Sequence, residues 1–150
     1  LAIATALARR NAPGLSAMVL FYGVFGADLD TESYTAFGDG RYGLSRERMA
    51  NFFEMYDPQA ARTRDPLITP LLGDLAGLPQ TWMVAAGLDV LRDDTLAMHR
   101  RLRAAGVETR LRVESGCVHG FINRGRVVRA AREALADAAA FLRQQTLESV

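Results

Sequence analysis

Apolar residues along the chain fall into blocks of two kinds. Residues 16–22 (Ser-Ala-Met-Val-Leu-Phe-Tyr) and 81–86 (Thr-Trp-Met-Val-Ala-Ala) are short continuous runs, the first bounded by Gly14 and Gly23, the second entered through Leu78-Pro79. Such runs predict strands buried on both faces of a parallel sheet. Residues 107–114 alternate instead: Val107, Thr109, Leu111 and Val113 point one way, Glu108, Arg110, Arg112 and Glu114 the other. That alternation predicts an edge strand with one wet face.

Between these runs the apolar spacing is helical. Residues 1–10 read as a helix that begins without an N-cap and ends at Asn11, Pro13 and Gly14. Leu91, Thr95, Met98, Leu102 and Ala105 share one face of a helix over 91–105, closed by Gly106. A last helix over 126–145 places Val127, Val128, Ala131, Leu135, Ala138 and Leu142 on one side. Residues 24–64 break the rhythm and predict an insertion. Within it, Ser45 offers an N-cap to a helix carrying Met49, Phe52, Phe53 and Tyr56, which stops before Pro58. Residues 65–71 predict an extended loop, because each residue before a proline is pushed out of the helical region. The order helix, strand, insertion, strand, helix, strand, helix describes an α/β fold with three mainly parallel strands and flanking helices.

Composition narrows the function classes. At 49% hydrophobic the chain can bury a core within one domain. Its 18 basic residues, all arginine, face 17 acidic ones, so no charge excess is available to hold a nucleic acid. The single cysteine, Cys117, excludes an internal disulfide framework and suits a reducing compartment such as the cytoplasm. No apolar run reaches the length of a membrane span. No metal-ligand cluster or phosphate loop is evident, and no cofactor is expected. Cys117 reads as a small buried apolar group, His99 as a surface histidine, and Asp93 and Asp94 as structural charges at a helix start.

Chemistry concentrates at two strand ends. Asp89, in Ala85-Ala86-Gly87-Leu88-Asp89, and His119, in Gly116-Cys117-Val118-His119-Gly120-Phe121, each follow an apolar strand. Open α/β sheets gather their sites outside the carboxyl ends of strands. A carboxylate beside an imidazole holds it in one tautomer and stabilises the imidazolium formed when the ring takes a proton from a nucleophile. Acid before base, after a serine, is the α/β-hydrolase order. The five serines, Ser16, Ser33, Ser45, Ser115 and Ser149, lie in no G-x-S-x-G turn.

The segments Asp65-Pro66, Leu78-Pro79, residues 87–94 (Gly-Leu-Asp-Val-Leu-Arg-Asp-Asp), residues 102–107 and His119-Gly120-Phe121 together resemble the hormone-sensitive-lipase-like (type IV) carboxylesterase family of the α/β-hydrolase superfamily. The resemblance runs from the first helix to the last and is densest from Asp65 to Phe121. It implies that Asp89 is the triad acid and His119 the triad base. This chain has Val90, Asp94 and Cys117 where the family usually has proline, glutamate and often methionine. The resemblance further implies a serine-dependent hydrolase of short- to medium-chain acyl esters working through an acyl-serine. Its nucleophile elbow and oxyanion loop would lie in an N-terminal half upstream of Leu1, making residues 1–150 the C-terminal portion of one domain. Phe37, Tyr42, Phe52, Phe53, Tyr56 and Phe121 become candidates to line the substrate site, and the last strand and helix a candidate homodimer surface. Two alternatives stay open: a ligand-binding protein on the same fold, as in related plant hormone receptors that lose the histidine, and an inactive truncated fragment.

Overall fold

The computed structural model describes residues 15–58 and 64–147, so the helix expected over 1–10 lies outside the described residues. Three strands, β1 (Ala17–Phe21), β2 (Gln80–Leu88) and β3 (Thr109–Val118), form a parallel sheet in the order β1-β2-β3. Helices α1 (Glu32–Phe37) and α2 (Arg46–Tyr56) belong to the insertion, α3 (Arg92–Ala104) connects β2 to β3, and α4 (Arg129–Leu147) closes the fold. The α/β architecture expected from the sequence is the one observed.

β2 is buried from Thr81 to Gly87, and its pleat divides two cores. Met83 points to one side with Met18 and Leu20, where Met98 and Leu102 of α3 cover it. Trp82, Val84 and Ala86 point to the other, under Ala131, Ala134, Ala138 and Phe141 of α4. Met98 and Leu102 are fully buried, a burial that contributes roughly 1.5–3 kcal/mol for each side chain. The small residues of α4 let its backbone lie close against the sheet.

Four expectations are corrected. β1 is not buried on both faces: Met18 and Leu20 are buried, whereas Ala17, Val19 and Phe21 are only partly covered. The wet face of β3 is not wet along its length. Arg112 bonds Glu114 of its own strand and Glu133 and Asp137 of α4, so α4 roofs these charges, while Val113 of the expected inner face is 46% exposed. The apolar face of α4 is rotated from the expected one: Ala131, Ala134, Ala138 and Phe141 are buried, whereas Val127, Leu135 and Leu142 are 81%, 43% and 43% exposed. An alanine-rich helix hides its true face, because many residues on it are apolar enough to be read as core. Residues 65–71, finally, are folded rather than extended. Asp65 accepts from Ile68 and Thr69 through its carbonyl and from Leu67 through its carboxylate, and a 3-10 turn follows at Pro70–Leu72.

Helix α1 has no counterpart among the expected elements. Six residues are too few for a helical period to register. Its position is set by tertiary bonds: Ser33 N–H donates to Asp93 at 2.7 Å and Ser33 Oγ to the Val90 carbonyl at 2.6 Å. α2 begins as expected, Ser45 Oγ accepting from Arg48 N–H at 3.1 Å. Among the described residues no helix is long and apolar enough to cross a membrane.

Candidate active site

Asp89 and His119 meet at the carboxyl ends of β2 and β3, with Asp89 Oδ2 2.8 Å from His119 Nδ1. A local irregularity brings them together. Ala86 pairs with Glu114 and Leu88 with Val118, so Gly87 alone faces Ser115, Gly116 and Cys117. Had the register of Ala86 continued, Cys117 would stand opposite Asp89. The two extra residues of this bulge bring His119 there instead. Bulges of this kind re-aim side chains at strand ends. Only glycine fits at position 87, since a β-carbon would lie 2.5 Å from the Ser115 α-carbon and 2.6 Å from its carbonyl oxygen.

The Asp89 side chain is fully enclosed, whereas that of His119 is 33% exposed. Asp89 Oδ1 accepts from Leu91 N–H at 3.1 Å, and the Asp89 carbonyl accepts from Arg92 N–H at 3.1 Å, which starts α3. Val90, fully buried among Tyr34, Leu44 and Met49, pins the turn without a proline. A carboxylate only accepts hydrogen bonds, so His119 Nδ1 carries the proton and Nε2 is left with a lone pair. An imidazole held this way can take a proton at Nε2 and return it.

His119 lines a cavity of about 530 Å³ together with Phe52, Phe53 and Tyr56 of α2, Leu44 and Met49 beneath them, Leu91, and Val24, Leu67, Ile68 and Pro70 from the loops. The wall is apolar apart from the imidazole and the Tyr56 phenol. Three of the six expected lining residues, Phe52, Phe53 and Tyr56, are therefore on it. Phe37 and Tyr42 are not: they pack edge to face on each other at 5.5 Å, with the Arg92 guanidinium over Phe37 at 5.2 Å. Phe121 lies beneath the site, buried in the core under α4. The sequence reading missed Val24, Leu67, Ile68 and Leu91, although the rule that loops at strand ends build the site pointed to them. It also missed Tyr22, whose ring lies 4.6 Å from that of His119.

Asp93 and Asp94 anchor the insertion to the start of α3. Asp94 Oδ2 accepts from Phe25 N–H at 2.9 Å and Gly26 N–H at 2.8 Å, while Asp93 takes Ser33 N–H and the Arg92 guanidinium. Burial raises the Asp94 pKa above its ordinary value, against the lowering effect of the two N–H donors. Cys117 is partly buried, and its thiol is raised by burial and then by Glu114. His99 is not free at the surface: it is partly buried on α3, its Nδ1 3.4 Å from Thr109 Oγ1, and burial followed by Arg103 and Arg100 lowers its pKa.

Known proteins resemble this chain in sequence and fold. The sequence profile of a family described as having the α/β hydrolase fold matches residues 1–123. The chain is 32% identical over 129 residues to an ethyl acetate hydrolase of Pseudomonas putida, covering 85% of this chain and 40% of that protein. It is 34% identical over 136 residues to the carboxylesterase NlhH of Mycobacterium tuberculosis, covering 88% of this chain and 42% of the relative. Among solved structures, the thermostable carboxylesterase EstE1 from a metagenomic library superposes with a TM-score of 0.90 at 32% identity, over 96% of this chain and 50% of its own. The chain thus spans less than half the length of the curated relatives it matches. By this similarity and its fold, the chain belongs to the hormone-sensitive-lipase-like carboxylesterase family of the α/β-hydrolase superfamily.

Proposed function

We propose that this chain supplies the acid and base of a serine carboxylesterase whose nucleophile elbow and oxyanion loop belong to a longer polypeptide, of which residues 1–150 are the C-terminal portion. The observation that carries this reading is the 2.8 Å bond from buried Asp89 to His119 at the rim of an apolar cavity. Two of the serines among the described residues are already engaged: Ser33 is buried and bonded to Val90, and Ser45 caps α2.

His119 Nε2 takes the proton of the serine hydroxyl as its oxygen attacks the ester carbonyl. Asp89 keeps the ring oriented and stabilises the imidazolium. The tetrahedral intermediate collapses, the C–O bond to the alcohol breaks, and His119 returns the proton to the departing oxygen. Water then repeats the sequence: His119 takes its proton, hydroxide adds to the acyl carbon, and the serine leaves with the proton restored. The acid product and free enzyme result.

The apolar wall of Phe52, Phe53 and Tyr56 suits an uncharged acyl chain, and the family resemblance implies one of short to medium length. Hydrolysis of p-nitrophenyl acetate, butyrate and octanoate by the full-length polypeptide, with His119→Ala as the control, tests the reading. Unchanged turnover in that variant would refute it. A homodimer through β3 and α4 is part of the same proposal, supported by exposed Val113, Leu135 and Leu142. Sedimentation decides it: Leu135→Glu is expected to give monomer, and a parent that sediments as monomer rules the dimer out.

A further inference from the structure

Tyr22 leaves β1 with φ 36°, the one positive φ among the described residues other than glycine. An aromatic residue in that region is strained, and such strain persists where the surroundings hold it, most often at functional sites. The hold is visible. Tyr22 N–H donates to the Val84 carbonyl at 2.7 Å, which fixes the backbone at this strained position. Its ring is thereby wedged between Phe121, at 5.8 Å, and His119, at 4.6 Å and 61°.

Asp89 grips the His119 imidazole at Nδ1 alone, and one hydrogen bond leaves a ring free to swing about it. A partly exposed imidazole therefore needs a second restraint. Edge-to-face packing against an aromatic ring supplies one with a preferred geometry. We infer that Tyr22 is a positioning residue, whose ring, braced on Phe121, holds the His119 imidazole so that Nδ1 stays on Asp89 and Nε2 is presented to the cavity. The strained turn is what swings the Tyr22 ring beneath His119 at the end of β1. The inference rests on the triad reading of Asp89 and His119.

The test uses the full-length polypeptide with Tyr22→Phe, Tyr22→Leu and Tyr22→Gly, the last relieving the positive φ while removing the ring. Ester turnover is measured together with the proton NMR signal of His119 Nδ1–H, assigned by its loss in His119→Ala. Phe should keep both turnover and signal. Leu and Gly should lower kcat about tenfold with KM within about threefold, and should broaden or lose the signal. Either folded variant keeping parental kcat and signal overturns the inference, as does a fall in kcat with the signal unchanged. Unfolding of both Leu and Gly also overturns it, assigning Tyr22 a purely structural part. An inactive parent would sink the esterase reading instead, while the NMR comparison, which needs no substrate, still decides the part played by Tyr22.

Discussion

Gly87 and Ser115 touch backbone to backbone: a β-carbon on Gly87 would lie 2.5 Å from the Ser115 α-carbon. This contact sits at the bulge that exchanges Cys117 for His119 opposite Asp89. Gly87→Ala should therefore force β2 and β3 apart where Asp89 and His119 meet. Overpacking of this kind destabilises by about 1–3 kcal/mol. Urea unfolding reads the stability and ester turnover reads the site. An alanine variant as stable and as active as the parent would show that the bulge tolerates a side chain.

Asp89→Asn is nearly isosteric, but an amide can present its N–H to Nδ1 and stabilise the wrong tautomer of His119. With the serine mechanism in force, kcat should fall about 10⁴-fold while KM changes little. Steady-state kinetics on p-nitrophenyl acetate measures this. A fall of less than about tenfold would mean that Asp89 does not orient a catalytic base.

Asp94 gives stability a dependence on pH. Burial raises its folded pKa above 3.8, so the folded chain keeps this proton to higher pH than the unfolded chain does. The stability contributed by this carboxyl is full below 3.8 and declines as pH rises from there through the raised value, by ~1.4 kcal/mol for each unit of elevation. Asp94→Asn can still accept from Phe25 and Gly26 but cannot ionise. Relative to that variant, the parent should lose stability between strongly acid and neutral pH. Paired urea melts across that range check it, and a parent that gains on the variant as pH rises contradicts the burial argument.

Phe52 is 44% exposed and lies on the cavity wall, so its removal should spare the fold and alter selectivity. Phe52→Ala should change unfolding free energy by no more than about 0.5 kcal/mol. The same change should lower kcat/KM for octanoate relative to acetate roughly tenfold, the scale set by one or two methylene contacts. Equal effects on both esters would place the acyl chain elsewhere.

Much of the frame was legible in the linear pattern. The continuous apolar runs of β1 and β2, set off by glycine and proline, and the helical spacing of Met98 and Leu102 carry strong signals, because burial selects apolar residues along an inner strand and at fixed intervals on a helix. The Asp89 and His119 candidates were legible from their place after strands. The insertion was legible only as a break in rhythm. Helix α1 is held by Ser33 bonding to Val90 and Asp93, about 60 residues away, and no local window contains those partners. Phe37, Tyr42 and Phe121 are indistinguishable in sequence from the cavity aromatics, because aromatic residues look alike there whether they face a cavity or one another.

The chain's own order of residues set the three strands, the longer helices, the parallel connectivity and the two groups able to exchange a proton, since each depends on local spacing and on chemistry carried by single side chains. The meeting of those groups is a different matter. It depends on Gly87 lying against Ser115, on two extra residues in β3, and on Tyr22 in a strained turn on the neighbouring strand. Each is a contact between segments far apart in the chain, where close packing rather than local preference chooses the conformation. Gly87 and Gly116 were the visible hints, because glycine inside a strand marks a bulge or a close approach. Which of these it would be, and which side chain it would turn toward Asp89, was settled when β2 and β3 packed together.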